Sequence, residues 1–304
     1  MSRRLVVTGV NGFVGQHLAK QAAGDGWSVY GISTQTAPAP GIAEHLDGYA
    51  GADLRQQWPA SAPTDATVVH LAGLAAVGPS FDDPQAYIAG NSAMVTNLGE
   101  ALLKAGSTGR IIGVSTGAVY ASSPEGSVHD ETSPVAFNSP YAVSKILVEN
   151  QLAYYRGRGL DTVVARPFNH FGPGQGRGFL IPDLIARLRE LPDGQPLEVG
   201  NLDTRRDYTD VRDITRAYLA LAEADTLRHH LYNIASGTAR SGREVLEAIC
   251  TALRRELPQV STDTSRLRPN DPVSIAGDAS LLRADTGWVS QQRFDRTVAE
   301  VAQR

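Results

Sequence analysis

The sequence predicts an α/β protein with a doubly wound parallel sheet, followed by a smaller C-terminal lobe. Apolar runs typical of buried strands alternate four or five times with helical segments over residues 1–165. A glycine-rich turn follows the first run, and two hydroxyl side chains, Ser115 and Thr116, follow a later one. Open α/β sheets bind ligands at the carboxyl ends of their strands, so we expect a small-molecule site there.

Composition limits the classes of function. The chain has 304 residues, 42% of them hydrophobic and 20% charged, and a formal net charge of -4. This balance, without a long Lys/Arg run, argues against nucleic-acid and membrane partners. Cys250 is the only cysteine, so we expect no disulfide framework and no thiolate metal cluster, and we assign no metal ligand. The short apolar run after Arg4 predicts a strand rather than a signal peptide, and no later segment is long enough to span a bilayer, so we expect a cytoplasmic protein.

A glycine-rich turn lies between the first predicted strand, residues 5–7, and a helix that runs through residues 17–20. Gly9 permits a tight turn, Gly12 lets backbone N–H groups approach a phosphate, and Gly15 lets the helix pack on the strand. The spacing is Gly-x-x-Gly-x-x-Gly, not the commoner Gly-x-Gly-x-x-Gly, and a plain turn is the alternative interpretation. We expect a dinucleotide pyrophosphate here, with contacts from Gly9, Asn11, Gly12, Phe13, Val14 and Gly15.

The carboxyl end of the second predicted strand, residues 27–32, should meet the adenosine ribose of that dinucleotide. Ser33 and Thr34 stand where an acidic residue would bind the 2′-hydroxyl of NAD and repel a 2′-phosphate. Because hydroxyl side chains can donate to that phosphate, NADP(H) is slightly favoured and NAD(H) stays possible. Asp53, followed by Leu54, could accept a hydrogen bond from the adenine amino group, although a helix cap explains Asp53 equally well.

A third apolar run, residues 67–73, is a strand that ends in small residues, which let a ligand approach. We expect cofactor contacts from Leu71, Ala72 and Gly73. His70 is interpreted as a buried, hydrogen-bonded histidine rather than a catalyst. A helix is predicted over 87–104, and Asn91 and Asn97 on it are interpreted as structural.

Tyr141 and Lys145 are four residues apart in a predicted helix, so they stand on one face, one turn apart. A free tyrosine has a pKa of about 10 and is a poor acid or base at neutral pH, but a nearby cation lowers that pKa. We expect Lys145 to be that cation, which makes the pair a proton-transfer device. The alternative is that Tyr141 starts an ordinary helix after Pro140 and that Lys145 is solvated.

The glycine turn, the hydroxyls before the helix and the Tyr141-x-x-x-Lys145 spacing together resemble the extended short-chain dehydrogenase/reductase family of nucleotide-sugar epimerases, dehydratases and reductases, which has a Rossmann-type fold. The resemblance runs over nearly the whole chain. In that family the hydroxyl lies four residues before the Tyr of a Val-Tyr pair, here Tyr120, which points to Thr116 rather than Ser115. The resemblance implies that Thr116 polarises the sugar oxygen, that Tyr141 acts on it as acid or base, and that Lys145 tunes Tyr141 and binds the nicotinamide ribose.

Two runs in the C-terminal part resemble segments of bacterial reductases that act on GDP-4-keto-6-deoxy-D-mannose. Residues 166–175 contain the Phe-Asn-His and Gly-Pro-Gly-Gln pieces of one loop, and residues 197–208 resemble a run shared with GDP-mannose 4,6-dehydratases. The resemblance places Pro167 at the cofactor. It also implies substrate-diphosphate contacts from Asn169, Arg206 and Arg268. As bare residues, the arginines could equally be surface side chains.

Position 118 separates the possible reactions. By resemblance, GDP-mannose dehydratases carry a glutamate here that takes a proton next to the ketone, but this chain has Ala118, which cannot do so. We therefore expect NAD(P)H-dependent reduction of a GDP-linked 4-keto-6-deoxyhexose, of the GDP-4-keto-6-deoxy-D-mannose to GDP-D-rhamnose type, with Tyr141 as the proton donor. The alternatives are a nucleotide-sugar 4-epimerase with tightly bound NAD and, less favoured, a 4,6-dehydratase or a non-catalytic dinucleotide-binding module.

Two lobes are expected. Residues 1–165 form a dinucleotide-binding domain, which residues 211–235 rejoin, and residues 166–304 supply mainly a substrate lobe. Further helices are predicted over residues 180–191, 211–223 and 243–256, and a strand over residues 231–235. The tail around Trp288 is expected to pack on the substrate lobe. By resemblance, the helix with Asn91 and the helix with the catalytic tyrosine would pair across a homodimer interface.

Overall fold

The computed structural model describes residues 3–124, 126–192, 194–264 and 272–303. The strands are β1 (Arg4–Thr8), β2 (Ser28–Ser33), β3 (Gly48–Gly51), β4 (Thr67–His70), β5 (Ile111–Val114), β6 (Thr162–Pro167), β7 (Asn169–Phe171), β8 (Leu197–Val199), β9 (Arg205–Asp210), β10 (Leu231–Ile234), β11 (Ala239–Ser241), β12 (Val260–Thr262) and β13 (Ser274–Ile275). The helices are α1 (Phe13–Gly24), α2 (Pro84–Ala105), α3 (Pro140–Gly157), α4 (Leu180–Glu190), α5 (Val211–Glu223), α6 (Gly242–Leu253), α7 (Ser280–Thr286) and α8 (Phe294–Ala302). Within these ranges, no helix combines the length and the apolar character that a membrane crossing requires. Arg268, a predicted diphosphate ligand, lies outside the described residues.

The main sheet has seven strands in the order β3-β2-β1-β4-β5-β6-β10, and every neighbouring pair is parallel. The chain leaves β1 in one direction through β2 and β3 and in the other through β4 and β5. This confirms the predicted doubly wound α/β sheet. In register, Val6 of β1 lies between Tyr30 of β2 and Val68 of β4.

Helices cover both faces of this sheet, which explains why its strands read as continuous apolar runs. On one face, Leu18 of α1 and Ile214 of α5 pack with Val7 in what we call the first core. On the other face, α2 and α3 pack with Val6 in the second core, through Leu98 and Leu152 among other residues. Consecutive residues of β1 therefore enter opposite cores, as the pleat of a strand requires.

A smaller sheet in the order β11-β9-β13, with β7 also paired to β9, forms the C-terminal lobe. Its core contains Leu184 of α4, Ile249 of α6 and Val298 of α8 around Phe171. The chain passes from β6 almost directly into β7, and from β9 directly into α5, so the lobe is joined to the main sheet near the carboxyl end of β6. The proposed division at about residue 165 stays a prediction.

The C-terminal part contains one clear departure from the sequence-based expectation. The predicted helix over 211–223 and the strand over 231–235 are present as α5 and β10, and β10 pairs with β6. Trp288, however, packs in the first core rather than on the lobe, and its Nε1 donates to Asp213 O at 3.0 Å. The expectation was wrong because α7 contacts β10 and α5 and thereby returns the chain to the main sheet.

Replacing Gly15 by alanine should destabilise the fold, whereas the same change at Gly24 should not. A Cβ at Gly15 would lie 2.3 Å from Gly9 O and 2.7 Å from Val10 Cα, both backbone atoms of the glycine turn. Overpacking of this kind costs about 1–3 kcal/mol. Gly24 ends the same helix and has nothing within 4 Å of its Cβ position, so Gly24→Ala is the matched control. Urea unfolding measures the free energy of unfolding of both variants. Equal values would show that the close backbone contacts at Gly15 do not require glycine.

Candidate active site

The glycine turn joins β1 to α1 in the conformation that the sequence predicts. Gly9 has a φ of 70°, and a Cβ there would lie 3.0 Å from Ala72 N, so glycine is required at this corner. Gly12 caps α1 without offering a side chain, and Phe13 and Val14 follow it in the first helical turn. The start of a helix, with the positive end of its dipole and no bulky side chain at its cap, suits a pyrophosphate, so the residues present fit a dinucleotide.

The loop after β2 is held against the glycine turn by Asn11. The side chain of Asn11 hydrogen-bonds Ala37 O and Ala39 N, at 3.0 and 2.9 Å. Ser33 is buried and its hydroxyl bonds a side chain of the same loop, whereas Thr34 is exposed. Of the two hydroxyls predicted to meet the adenosine ribose, that of Thr34 therefore lies on the surface of the site.

Asp53 does not cap a helix. Its carboxylate accepts hydrogen bonds from Arg55 N at 3.0 Å and from Arg55 Nε and Nη2, each at 2.9 Å, and the side-chain bonds lower the pKa of Asp53. The helix-cap alternative is therefore wrong, because residues 54–56 form only a turn. Leu54 packs in the second core, and its carbonyl accepts from Asn97 Nδ2 at 2.9 Å. Cofactor contacts by Asp53 and Leu54 stay predictions.

Thr8 and His70 join the carboxyl ends of β1 and β4 through a side-chain hydrogen bond. Thr8 Oγ1 lies 2.9 Å from His70 Nδ1 and accepts from Ala72 N at 3.1 Å. Burial, assisted by the Lys145 charge, lowers the pKa of His70 to about 3, so this is the buried, hydrogen-bonded histidine that the sequence predicts. The Cβ position of Gly73 lies 3.7 Å from Lys145 Nζ. The segment after β4 thus reaches from the glycine turn to α3.

Asn91 of α2 holds the next part of this segment. Its Oδ1 accepts from Leu74 N at 2.8 Å, and its Nδ2 donates to Leu74 O at 3.2 Å and to Ser144 Oγ at 2.9 Å. Asn91 is 2% exposed, and Ser144 directly precedes Lys145. The residue is structural, as the sequence predicts, and it joins α2, α3 and the segment after β4.

Tyr141 lies in the first turn of α3. Ser139 caps this helix by accepting a backbone N–H at 3.1 Å, and Pro140 is its first residue. Burial raises the pKa of Tyr141 to about 12, although the Thr116 hydroxyl lowers it. The expectation that Lys145 sets a lowered pKa is wrong, because burial raises the pKa of the phenol and the Lys145 Nζ lies 6.0 Å from the ring centroid. Tyr141 therefore carries its proton at neutral pH.

Lys145 is buried, so the alternative of a solvated lysine is wrong. Its side-chain Nζ donates to Val114 O at 2.8 Å, and the residue is 7% exposed. Burial lowers the pKa of Lys145 to about 8, and the Glu149 carboxylate acts in the opposite direction. The ammonium is therefore charged at neutral pH and loses its proton as the pH rises through about 8.

Thr116 lies two residues after the end of β5 and directly precedes the single turn Gly117–Val119, where its Oγ1 accepts from Ala118 N at 3.1 Å. The Thr116 hydroxyl lies near enough to Tyr141 to lower the pKa of the phenol. The structure thus brings the three predicted catalytic residues together at the carboxyl edge of the main sheet. Ala118, the residue predicted to distinguish reduction from dehydration, lies in the same turn as Thr116 and donates its N–H to the Thr116 hydroxyl.

Asn169 and Arg206 lie on paired strands of the C-terminal lobe. Asn169 begins β7 and is in register with Tyr208 of β9, and Arg206 shares a face of β9 with Tyr208. Asn169 is exposed, and Arg206 Nη1 donates to two backbone carbonyls at 2.8 and 2.9 Å. Pro167 is buried at the end of β6. Diphosphate binding by Asn169 and Arg206, and cofactor contact by Pro167, stay predictions.

Glu149 is absent from the sequence-based site, yet it contacts the strand end that precedes Thr116. Its carboxylate accepts from Ser115 Oγ and forms an ion pair with Arg166 at 2.6 Å. The spacing of four residues from Lys145 was the available signal, because it puts both side chains on one helical face.

A model of the NAD dependent epimerase/dehydratase family matches residues 5–235 of this chain. The chain belongs to this family. GDP-6-deoxy-D-mannose reductase of Pseudomonas aeruginosa is 36% identical over 299 residues, which cover 95% of this chain and 92% of that protein. The structure of RMD from Pseudomonas aeruginosa complexed with NADPH has a TM-score of 0.82 at 31% identity and covers 99% of this chain and 98% of that chain. UDP-glucose 4-epimerase of Thermus thermophilus, complexed with NAD, has a TM-score of 0.83 at 27% identity, again with 99% and 98% covered.

Membership of the epimerase/dehydratase family confirms the resemblance to extended short-chain dehydrogenases/reductases and the Rossmann-type fold. The chain is an enzyme of a family that depends on a nicotinamide dinucleotide. Its glycine turn and the buried Tyr141–Lys145 pair are the parts that fit such a cofactor. The choice between NAD and NADP is left open by these relatives, since one solved structure holds each.

Replacing Asn91 by alanine should destabilise the protein more than replacing Asn97, on the same helix. The change at Asn91 removes three side-chain hydrogen bonds and leaves both backbone groups of Leu74 without them, whereas Asn97 makes one bond, to Leu54 O. At about 1 kcal/mol for each bond, we expect a loss of about 3 kcal/mol for Asn91→Ala and about 1 kcal/mol for Asn97→Ala. Urea unfolding measures both. Similar losses for the two variants would show that Asn91 does not hold the segment after β4.

Proposed function

We propose that the chain reduces the 4-keto group of a GDP-4-keto-6-deoxyhexose with NAD(P)H, in the manner of GDP-4-keto-6-deoxy-D-mannose to GDP-D-rhamnose. The observation that carries this proposal is the buried, proton-bearing Tyr141, with the Thr116 hydroxyl near enough to act on its pKa. Reduction makes the ketone oxygen negative, and that oxygen needs a preplaced proton donor. With a pKa of about 12, the Tyr141 phenol keeps its proton until such a base forms beside it.

The roles of the three residues follow from their chemistry. The bound reduced nicotinamide supplies the hydride that the protein cannot. Thr116 donates a hydrogen bond to the ketone oxygen, and Tyr141 transfers its proton to that oxygen as charge develops. Lys145, charged at neutral pH, binds the nicotinamide ribose and favours the tyrosinate that remains after transfer.

We assign the cofactor contacts to the residues that were predicted from the sequence. The glycine turn binds the pyrophosphate, and Thr34 is the exposed hydroxyl for the ribose or its 2′-phosphate. NADPH is slightly favoured over NADH, which agrees with the NADPH in the Pseudomonas aeruginosa RMD structure.

Reduction is favoured over dehydration because Ala118 has no carboxylate. The GDP part of the proposal is supported by the relative named GDP-6-deoxy-D-mannose reductase. Asn169, Arg206 and Arg268 would bind the substrate diphosphate.

The assembly and location of the enzyme are also proposals. We propose a cytoplasmic homodimer in which α2 and α3, which pack closely on each other, meet the same helices of a second copy. The main sheet, with residues 211–235, would hold the dinucleotide, and the part after residue 165 would mainly hold the nucleotide sugar.

The Tyr141→Phe variant should lose reductase activity. Without the phenolic proton, kcat should fall by about 10²–10⁴-fold. The measurement is loss of NADPH or NADH absorbance on addition of freshly made GDP-4-keto-6-deoxy-D-mannose. Tyr87→Phe is the matched control, because the Tyr87 ring packs edge-on against Tyr141 at 6.5 Å between centroids yet has no assigned proton to give. It should keep kcat within a few-fold.

One outcome would overturn the reductase, and another would overturn the role of Tyr141. If wild-type protein binds GDP-sugar but oxidises neither nicotinamide, the 4-epimerase becomes the better assignment, since epimerisation consumes no cofactor. If Tyr141→Phe keeps full activity, another group donates the proton.

A further inference from the structure

Two side chains on one face of α3 hold successive residues at the end of β5. Lys145 Nζ donates to Val114 O at 2.8 Å, and one turn later the Glu149 carboxylate accepts from Ser115 Oγ. Thr116 is the next residue along the chain. The helix that carries Tyr141 is therefore attached to the strand end that carries Thr116 at two consecutive points.

A third element is fixed to the same carboxylate. Arg166 of β6 donates from Nε to Glu149 Oε1 at 2.8 Å and from Nη2 to Oε2 at 2.6 Å, which is the bidentate geometry of a strong pair. The side chains are 6% and 12% exposed. The guanidinium also lies 4.8 Å from the ring centroid of Tyr120, whose hydroxyl donates to Asn233 of β10 at 2.7 Å.

A buried ion pair is a poor device for stability alone, because apolar residues of the same size often stabilise a fold as well. This pair lies where α3, β5 and β6 meet, and each of them carries or directly precedes a predicted site residue. We propose that Glu149 is a positioning residue for the catalytic set, supplying the negative charge that faces the Lys145 ammonium and fixing the end of β5 beside α3. Arg166 holds the Glu149 carboxylate in place for both tasks.

Several charged or titratable groups surround the Lys145 ammonium. Tyr141 and Glu149 face it from α3, His70 faces it from β4, and Arg166 of β6 is paired to Glu149. His70 is neutral and Tyr141 is protonated at neutral pH, because burial lowers the pKa of the first and raises that of the second. The charge that acts on Lys145 is that of Glu149, and it favours the charged ammonium against burial.

The test uses the lysines as direct reporters. The chain has only Lys20, Lys104 and Lys145, so protein labelled with ¹³C at the lysine ε-carbon gives few signals, and Lys145→Arg identifies the one of interest. We expect the Lys145 signal of the wild type to titrate with a midpoint of about 8. In Glu149→Gln, which keeps the shape but loses the charge, the midpoint should fall by about one pH unit. An unchanged midpoint would overturn the proposal.

Two controls separate charge from geometry. Glu100→Gln makes the same change in an exposed pair with Arg158, and it should leave the Lys145 midpoint in place. Ser115→Ala removes one attachment of the strand end without changing a charge. It should leave the midpoint in place but lower kcat by about tenfold, because the end of β5 is no longer fixed. An unchanged kcat in Ser115→Ala would show that the contact between Glu149 and Ser115 does not position the catalytic set.

Glu149→Gln leaves Arg166 buried without its counter-charge, which can prevent folding. The double variant Glu149→Gln/Arg166→Gln leaves no charge unpaired and serves to compare folding. Because the Arg166 cation is lost together with the Glu149 anion, the Lys145 midpoint should fall less in it than in Glu149→Gln. A midpoint that is lower in the double variant than in Glu149→Gln would count against the proposal.

The inference rests on the proposed role of Lys145, but its main readout does not. The lysine titration needs no substrate. If the protein shows no reductase activity but the Lys145 midpoint falls in Glu149→Gln, the effect of Glu149 on Lys145 stands and only the proposed reaction is refuted. If the protein is an active reductase but the midpoint does not change, the reaction stands and the role of Glu149 is refuted.

Discussion

The burial of a charged lysine beside a tyrosine is the constraint on which the rest of the site depends. An ammonium removed from water must find partners, and Lys145 finds a carbonyl at the end of β5 and a carboxylate one turn along its own helix. These partners fix how α3 lies against the sheet. The same contact brings the segment after β4 close to the ammonium, because Gly73 has no side chain in the way. The end of β5, the segment after β4 and the glycine turn are therefore parts of one packed arrangement.

Burial acts in opposite directions on the pKa values of Tyr141 and Lys145, the proposed proton-transfer pair. It raises the pKa of the Tyr141 phenol to about 12 and lowers that of the Lys145 ammonium to about 8. In water the two groups have nearly equal pKa values, of about 10. Inside the protein, the lysine is much the more acidic of the two. With rising pH, the pair therefore first loses the charge of the lysine, while the tyrosine still holds its proton.

Much of the fold and part of the site could be predicted from the sequence. Continuous apolar runs between helices fix a sheet covered on both faces, and Gly9 and Gly15 stand where a side chain would collide with backbone. These are local requirements, so they are visible in the chain. The helix-cap alternative for Asp53 failed for a local reason, because Arg55, two residues on, binds its carboxylate. The pKa of Tyr141 and the position of Trp288 were wrongly predicted because burial by residues far away in sequence decides both. Glu149 was missed for the same reason, since Ser115 and Arg166 reach it only in the folded chain.

The order of packing has a consequence for how the chain folds during synthesis. The first core includes residues of β1 and α1 but also Trp288, and the core of the C-terminal lobe includes Val298. Strand β9 likewise pairs with β13, far along the chain. A ribosome releases the chain from its N-terminus. Most of the parallel sheet therefore emerges well before Trp288 and Val298, which complete the first core and the core of the C-terminal lobe. The nascent protein therefore passes through a long stage in which apolar surface stays uncovered, and this stage is where chaperones would engage it.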